Sequence, residues 1–374
     1  MNYFIINQIQ NLVNKHWWIE PLVIFLIWRV LVELIGRIAL SQIDYLPKPW
    51  SNDPFPPMWA KWDTGWYSAI LTYGYQLREG IMSNVTFFPV YALWWKFVWI
   101  MLPISRLAAG VLASNIVTLA SCLVIYRWLI EVFSKKTARL SLIALLVWPA
   151  SLFLAAAYSE STFILFTALT FWLAYKTKWT GASIMALVAS ATRPLGIALW
   201  PTLFTLWWQG EKNKKWSQVL PLALLPPLGI IIFSLYLWQQ TGDPLTWFNA
   251  QSLAGRSLAW PLPMLKAYWE NIINFGNLWS IHLGELAALF FIIILLPAIT
   301  KINKGFGVFT ILSILPPLFT NSLTSFPRFV LVIIPVFLVI GLIKNSRAYW
   351  SYVIICLPWL VWGIINFVSW QWAG

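Results

Sequence analysis

Of 374 residues, 60% are apolar and only 10% charged, where a soluble domain carries about a quarter; that excludes a water-soluble globule. The formal net charge of +13 is spread over short turns between apolar runs, a pattern of topology signals and not of a nucleic-acid-binding face. Cys122 and Cys356 both fall inside apolar runs, so neither a disulfide framework nor a metal-ligand cluster is available, and metal and cofactor are expected to be absent. The expectation is an all-α polytopic membrane protein forming one domain over residues 1–374.

The chain starts MNYFIINQIQNLVNKHWW, without the charged start and small-residue cleavage site of a secretory signal, so the first span is expected to remain as a signal-anchor. Trp17 and Trp18 suit the membrane interface. Apolar runs long or nearly long enough to cross follow at 20–40, 107–131, 140–157, 161–176, 179–192, 195–209, 217–240, 281–300, 306–320, 329–343 and 349–370, which gives about 11 spans at about 20 residues per crossing. Every second turn is basic: Lys135, Lys136 and Arg139; Lys176 and Lys178; Lys212, Lys214 and Lys215; Lys301 and Lys304; Lys344 and Arg347. These turns are expected to face the cytoplasm.

The stretch 87–102, FFPVYALWWKFVWIML, breaks that parity if it crosses. With Lys96 at its centre and Trp94, Trp95 and Trp99 around it, a helix lying in the interface is expected, with a re-entrant hairpin as the alternative. Outer loops then cover 41–106, with two juxtamembrane helices, and 241–280, with short outer turns at 158–160, 193–194 and 321–328. The informative polar residues fall on that side.

Asp63, in MWAKWDTGWYSAILTYGY (58–75), is a carboxylate set among Trp, Lys and Tyr. It is a candidate general base for an acceptor hydroxyl, or simply the N-cap of the helix that follows. Lys61 is a candidate cation for an anionic leaving group, or a snorkelling lysine. Asp53, in SNDPFPP, and Asp243, in a Gly-Asp-Pro turn, read as turn residues. Glu160, in AAAYSES, is either a first-turn acid behind a Ser159 cap or an active-site carboxylate and partner of Arg193. Arg193 precedes the helix-breaking Pro194 on the side opposite to the basic turns, and its fork geometry suits a phosphate. Arg328 follows Pro327 in the same way, and Arg256 is a further candidate phosphate contact. Arg29, Glu33 and Arg37 are spaced to neutralise one another, as are Arg127 and Glu131. His16 and His282 are isolated, which gives no zinc site, and no Walker, dinucleotide or Gly-x-Ser-x-Gly signature occurs.

KWDTGWYSAILTYGY followed by TFFPVYALW resembles the first outer loop of the GPI mannosyltransferase 2 (PIG-V type) family, whose pattern runs roughly WDxxxYxxIAxxGY and then FFPxYP. PAxxFxxAAYSES at 149–161, ATRPLG at 191–196, GDPLTWFNAQ with GRSLAWP at 242–261, and SFPRFVL at 325–331 are similar to that family's later motifs, in the same order, so the chain looks like a bacterial member. The resemblance implies a GT-C type helical bundle in the cell membrane with an extracytoplasmic active site. It implies an inverting hexosyltransferase, expected to be a mannosyltransferase, that takes its sugar from a polyprenyl-phosphate donor with no nucleotide and passes it to a lipid or glycan acceptor. Asp63 would be the base; Lys61, Glu160, Arg193, Arg256 and Arg328 are the candidate substrate-binding residues, of which Glu160, Arg193 and Arg328 fall in motifs similar to the family's. The rival from another class is a transporter or flippase for a lipid-linked sugar, for which paired inverted repeats would be expected; no internal repeat is evident.

Overall fold

The computed structural model describes residues 16–42, 58–78, 80–210 and 215–371; the signal-anchor start, Asp53, Lys212 and Lys214 lie outside them. Among the described residues there is no strand beyond an isolated antiparallel bridge between Leu258 and Thr320. The helices are α1 (Ile19–Ser41), α2 (Thr64–Tyr73), α3 (Pro89–Met101), α4 (Arg106–Val132), α5 (Lys135–Val147), α6 (Glu160–Tyr175), α7 (Trp179–Ser190), α8 (Leu199–Gly210), α9 (Trp216–Thr241), α10 (Pro261–Ile273), α11 (Trp279–Ile302), α12 (Lys304–Leu318), α13 (Phe326–Leu331), α14 (Ile334–Gly341) and α15 (Ser346–Val368). By length and composition α4, α9, α11 and α15 can each cross a membrane. The other apolar elements are shorter, interrupted or, in α1, carry four charges, Glu20, Arg29, Glu33 and Arg37.

The interruptions follow the prolines. The expected span 140–157 is α5 followed by a 3-10 segment beginning at Pro149. The expected span 195–209 starts as a 3-10 segment at Pro194 and becomes helical only at Leu199. Pro335 lacks the N–H that would join α13 to α14, and the apolar run 329–343 is broken ahead of it. Each break frees backbone polar groups, and in a bilayer such groups persist only where protein satisfies them or a cavity admits water.

Caps define several turns between helices. Ser134 Oγ accepts from Thr137 N at 3.0 Å, Asn303 Oδ1 from Gly305 N at 2.7 Å, and Asn345 Oδ1 from Arg347 N at 2.9 Å. These open α5, α12 and α15, each beside a basic turn. Ser/Asn caps satisfy amides that the helix start leaves open.

Helix α3 is 13 residues long, about 20 Å at 1.5 Å per residue, too short to cross a hydrocarbon core of about 30 Å by itself. Lys96 on it is exposed. Its tryptophans differ from the expected interfacial ring: Trp95 is fully buried, donates from Nε1 to Arg106 O at 2.7 Å, and fills the place of a side chain at Gly110, where a Cβ would meet its ring at 2.4 Å. Trp94 donates to Ala113 O at 3.0 Å. Both indoles are therefore spent on docking α3 against α4. Gly229 plays the same part between α9 and α7, since a Cβ there would come within 2.3 Å of Leu187 O; small residues let membrane helices approach backbone to backbone.

The charges on α1 pair as their spacing requires. Glu33 binds Arg29 at 2.9 Å and Arg37 at 2.8 Å, and also accepts from Trp59 Nε1 at 2.9 Å. Arg127 and Glu131 pair at 2.9 Å. Residues from the interhelical segments around 58–67, 155–159, 191–194, 245–258 and 319–329 wall a single cavity.

Candidate functional site

That cavity has a volume of about 1070 Å³. Asp63, Arg193, Arg256 and Arg328 stand on its wall, with an apolar side that includes Phe88, Ile230, Trp247 and Pro317. A mostly apolar concavity with a few converging charged groups is the usual form of a small-molecule site.

Asp63 occupies the position before α2, but it does not cap it: its backbone is already helical and its side chain makes no cap bond. The carboxylate turns instead to α13, where Arg328 Nη2 donates to Oδ2 at 2.9 Å. Oδ1 makes no hydrogen bond to a described residue, and the side chain keeps 27% of its exposure. Arg328 also donates from Nε at 2.9 Å and Nη2 at 2.7 Å to Glu160 Oε1, and its guanidinium lies 4.5 Å from the Phe153 ring centroid and 4.8 Å from that of Tyr158. Arg193 Nη1 reaches the same Glu160 oxygen at 2.8 Å. Glu160 opens α6, fully buried, and Ser159 ahead of it makes no side-chain cap. A carboxylate so placed persists because two guanidiniums neutralise it, which is the partner reading of AAAYSES realised.

Arg256 approaches from the loop between α9 and α10. Nη2 donates to Thr324 O at 3.2 Å, and the guanidinium lies 5.5 Å from the Phe329 ring. Among the described residues no carboxylate is within ion-pair distance of it. Burial, with the charge of Arg328 adding to it, lowers its pKa to about 10. Its loop is sewn to the loop before α13: Ala259 N donates to Phe319 O at 3.1 Å and Asn321 N to Ser257 O at 3.0 Å.

Lys61 is not on the cavity wall. It is buried, Nζ donates to Val368 O at the end of α15 and lies 5.0 Å from the Trp370 ring centroid. Burial lowers its pKa to about 8. The structure therefore joins Asp63, Glu160, Arg193, Arg328 and, on the same wall, Arg256, and sets Lys61 behind them.

Three residues of the site's frame were not singled out in the sequence. Tyr158 OH donates to Lys61 O and accepts from Asp63 N, both at 3.2 Å. Tyr67 lines the cavity beside Ser159, and burial raises its pKa. Glu285, buried in α11, accepts from Ser325 N at 3.1 Å, three residues before Arg328. A lone acid in an apolar span is itself a signal, and Glu285 carried it. No cluster of three or more His, Cys, Asp or Glu able to hold a metal occurs among the described residues.

Fold and site together define an all-helical membrane protein with a cavity lined by charged groups. No protein-family model matches the chain, and no curated protein matches it. Among solved structures it is similar to the Archaeoglobus fulgidus oligosaccharyltransferase tethered by a disulfide to an acceptor peptide containing the NVT sequon, with 12% identity and a TM-score of 0.48 over 97% of this chain and 56% of that one. It is also similar to the archaeal oligosaccharyltransferase AglB from Archaeoglobus fulgidus in complex with an inhibitory peptide and a dolichol-phosphate, with 11% identity and a TM-score of 0.46 over 97% of this chain and 56% of that one. The chain spans about half the length of these structures.

Proposed function

We propose that the chain is a membrane glycosyltransferase of GT-C type that moves a hexose, by its motifs mannose, from a polyprenyl-phosphate donor to a lipid or glycan acceptor. One observation carries the reading: a carboxylate with an unengaged oxygen, Asp63, shares a cavity with an arginine, Arg256, that has no acidic partner among the described residues. The charges favour this donor class. Three arginines stand against the carboxylates of Asp63 and Glu160, a balance of one positive charge, and a sugar-phosphate diester carries one negative charge.

In the proposed reaction Asp63 Oδ1 takes the proton of the acceptor hydroxyl as that oxygen bonds to the anomeric carbon. The bond from that carbon to the phosphate oxygen breaks on the opposite face, with inversion, and the lipid phosphate leaves with the electron pair. Arg256 meets the charge that develops on it; Arg193 and Arg328, already committed to Glu160, hold the wall. Phosphate is a fair leaving group, so positioning carries much of the barrier. The positive-inside bias of the basic turns supports a site on the extracytoplasmic face of the cell membrane, in a bundle of about 11 crossings when the interrupted helices are counted.

The test is transfer of labelled mannose from polyprenyl-phosphate mannose to membrane lipids and glycans by purified protein, beside Asp63→Asn. Transfer by the wild type and its loss in the folded variant support the reading. Wild-type protein that moves the intact lipid-linked sugar between leaflets of a vesicle and transfers nothing would establish the transporter in its place.

A further inference from the structure

We propose that Lys61 and the turn after α15 form a positioning element that fixes the Asp63 carboxylate from behind, a role that rests on the reading of Asp63 above. Four residues of the segment 59–63 are held by distant parts of the chain. Trp59 O accepts from Ala157 N at 3.1 Å, its indole donates to Glu33, and its ring stacks on Phe367 with centroids 5.8 Å apart. Lys61 Nζ donates to Val368 O. Trp62 packs on Trp370 at 5.7 Å, and Tyr158 OH bridges Lys61 O and Asp63 N.

Two features set this apart from ordinary packing. Trp62 and Trp370 both adopt left-handed backbone, with φ of 54° and 60°, a region that bulky residues rarely enter and that persists where surroundings impose it. They face each other across the Lys61 contact. An ammonium buried with no carboxylate of the described residues in ion-pair distance is costly; here the helix-end carbonyl, the negative end of the α15 dipole and the face of Trp370 compensate it. A methionine would pack in the same space at less cost. What the ammonium adds is direction: it ties residue 61 to one carbonyl, and Asp63 follows two residues on, at the start of α2.

The experiment compares Lys61→Met, Lys61→Arg and Trp370→Ala with wild type, reading hydrogen exchange across 59–67 and the split between kcat and KM for polyprenyl-phosphate mannose. In the wild type the amides of Thr64, Gly65 and Trp66 bond to the carbonyls of Lys61, Trp62 and Asp63 and should exchange slowly. Lys61→Met is expected to melt no lower than wild type yet to lose about tenfold in protection there and about tenfold in kcat, with KM within twofold; Lys61→Arg should recover part of both. Trp370→Ala, which leaves Lys61 in place and removes its support, should shift both readouts the same way. Wild-type protection and kcat in Lys61→Met would overturn the proposal, as would a loss carried by KM, which would return Lys61 to substrate binding. Should wild type transfer nothing, the functional reading fails by itself, and the exchange measurement still decides whether Lys61 holds the segment.

Discussion

Glu160→Gln is the most informative single change. The side chain is fully buried, and one oxygen receives Arg193 at 2.8 Å and Arg328 at 2.7 and 2.9 Å. At an effective dielectric of 20, charges about 4 Å apart attract by about 4 kcal/mol per pair. Desolvation of the three ions and repulsion between the guanidiniums offset much of that, but removing only this anion leaves Arg193 without an acidic partner among the described residues, beside an Arg328 whose remaining pair is with Asp63. Breaking a buried pair from one side costs about 3–5 kcal/mol. The amide keeps an acceptor oxygen, so the loss measures charge and not shape. Thermal unfolding of the detergent-solubilised protein, followed by tryptophan fluorescence and by the monomer peak on gel filtration, should show the midpoint falling by roughly 4–6 °C. Arg193→Gln should cost less, because Arg328 still pairs with Glu160, and the double variant should be more stable than additivity predicts by about 1–3 kcal/mol. A Glu160→Gln midpoint within about 2 °C of wild type would refute the ion cluster.

Asp63→Asn should leave the melting temperature unchanged within about 1 kcal/mol, since a part-exposed pair contributes little, while transfer falls by about 10²–10⁴, the range for a general base; activity within tenfold of wild type would remove Asp63 from that role. Arg256→Gln should raise the donor KM about tenfold with little change in melting, because its polar bond is to a backbone carbonyl; Arg256→Lys should restore only part, lacking the planar fork. The pH dependence of stability reports Lys61. Its folded pKa lies at about 8, below the ordinary 10.5, so between those values the unfolded chain binds the proton more tightly and stability rises with pH. The gain approaches about 3 kcal/mol near pH 10.5, and Lys61→Met should lack it; equal pH dependence in the two proteins would contradict the burial of a lone ammonium.

The sequence made the site's charged residues visible because each sat where an apolar chain tolerates charge poorly. Glu160, Arg193 and Arg328 each interrupt an apolar run beside a turn or proline, and the structure brings all three together. The Glu160–Arg193 pair was among the readings; what could not be read was that Arg328 would join it and reach Asp63 as well. Asp63 met the sequence requirements of an N-cap, and its helical backbone and the long-range arrival of Arg328, 265 positions away, decide against it. Lys61 carries the same lesson, since its acceptor is a backbone carbonyl 307 positions on, and a carbonyl has no sequence signature. Trp95 was misplaced for a related reason: three tryptophans around a lysine look interfacial until Gly110, on the next helix, opens the space that one of them fills. The helical class followed from composition, whereas the breaks inside spans depended on prolines whose effect differs with place: three lie inside the continuous α9, and Pro335 opens α14 after a full interruption.

The Asp63–Arg328 pair cannot explain its own geometry. Asp63 follows a left-handed tryptophan, and Arg328 comes three residues after left-handed Ser325, φ 67°. Each such residue costs about 1–2 kcal/mol, whereas an ion pair with one partner 27% exposed returns about 1 kcal/mol at most. The deficit must be met from outside the pair, and each side has its own buried anchor. Lys61 and Trp370 hold the segment that carries Asp63, and Glu285 accepts from Ser325 N, a hydrogen bond contributing about 0.5–1.5 kcal/mol. The carboxylate and guanidinium are therefore brought together by the bundle and do not assemble the bundle themselves. In the proposed reaction, a substrate that competes for Arg328 would find Asp63 still in place, because what holds it lies on the far side of the wall.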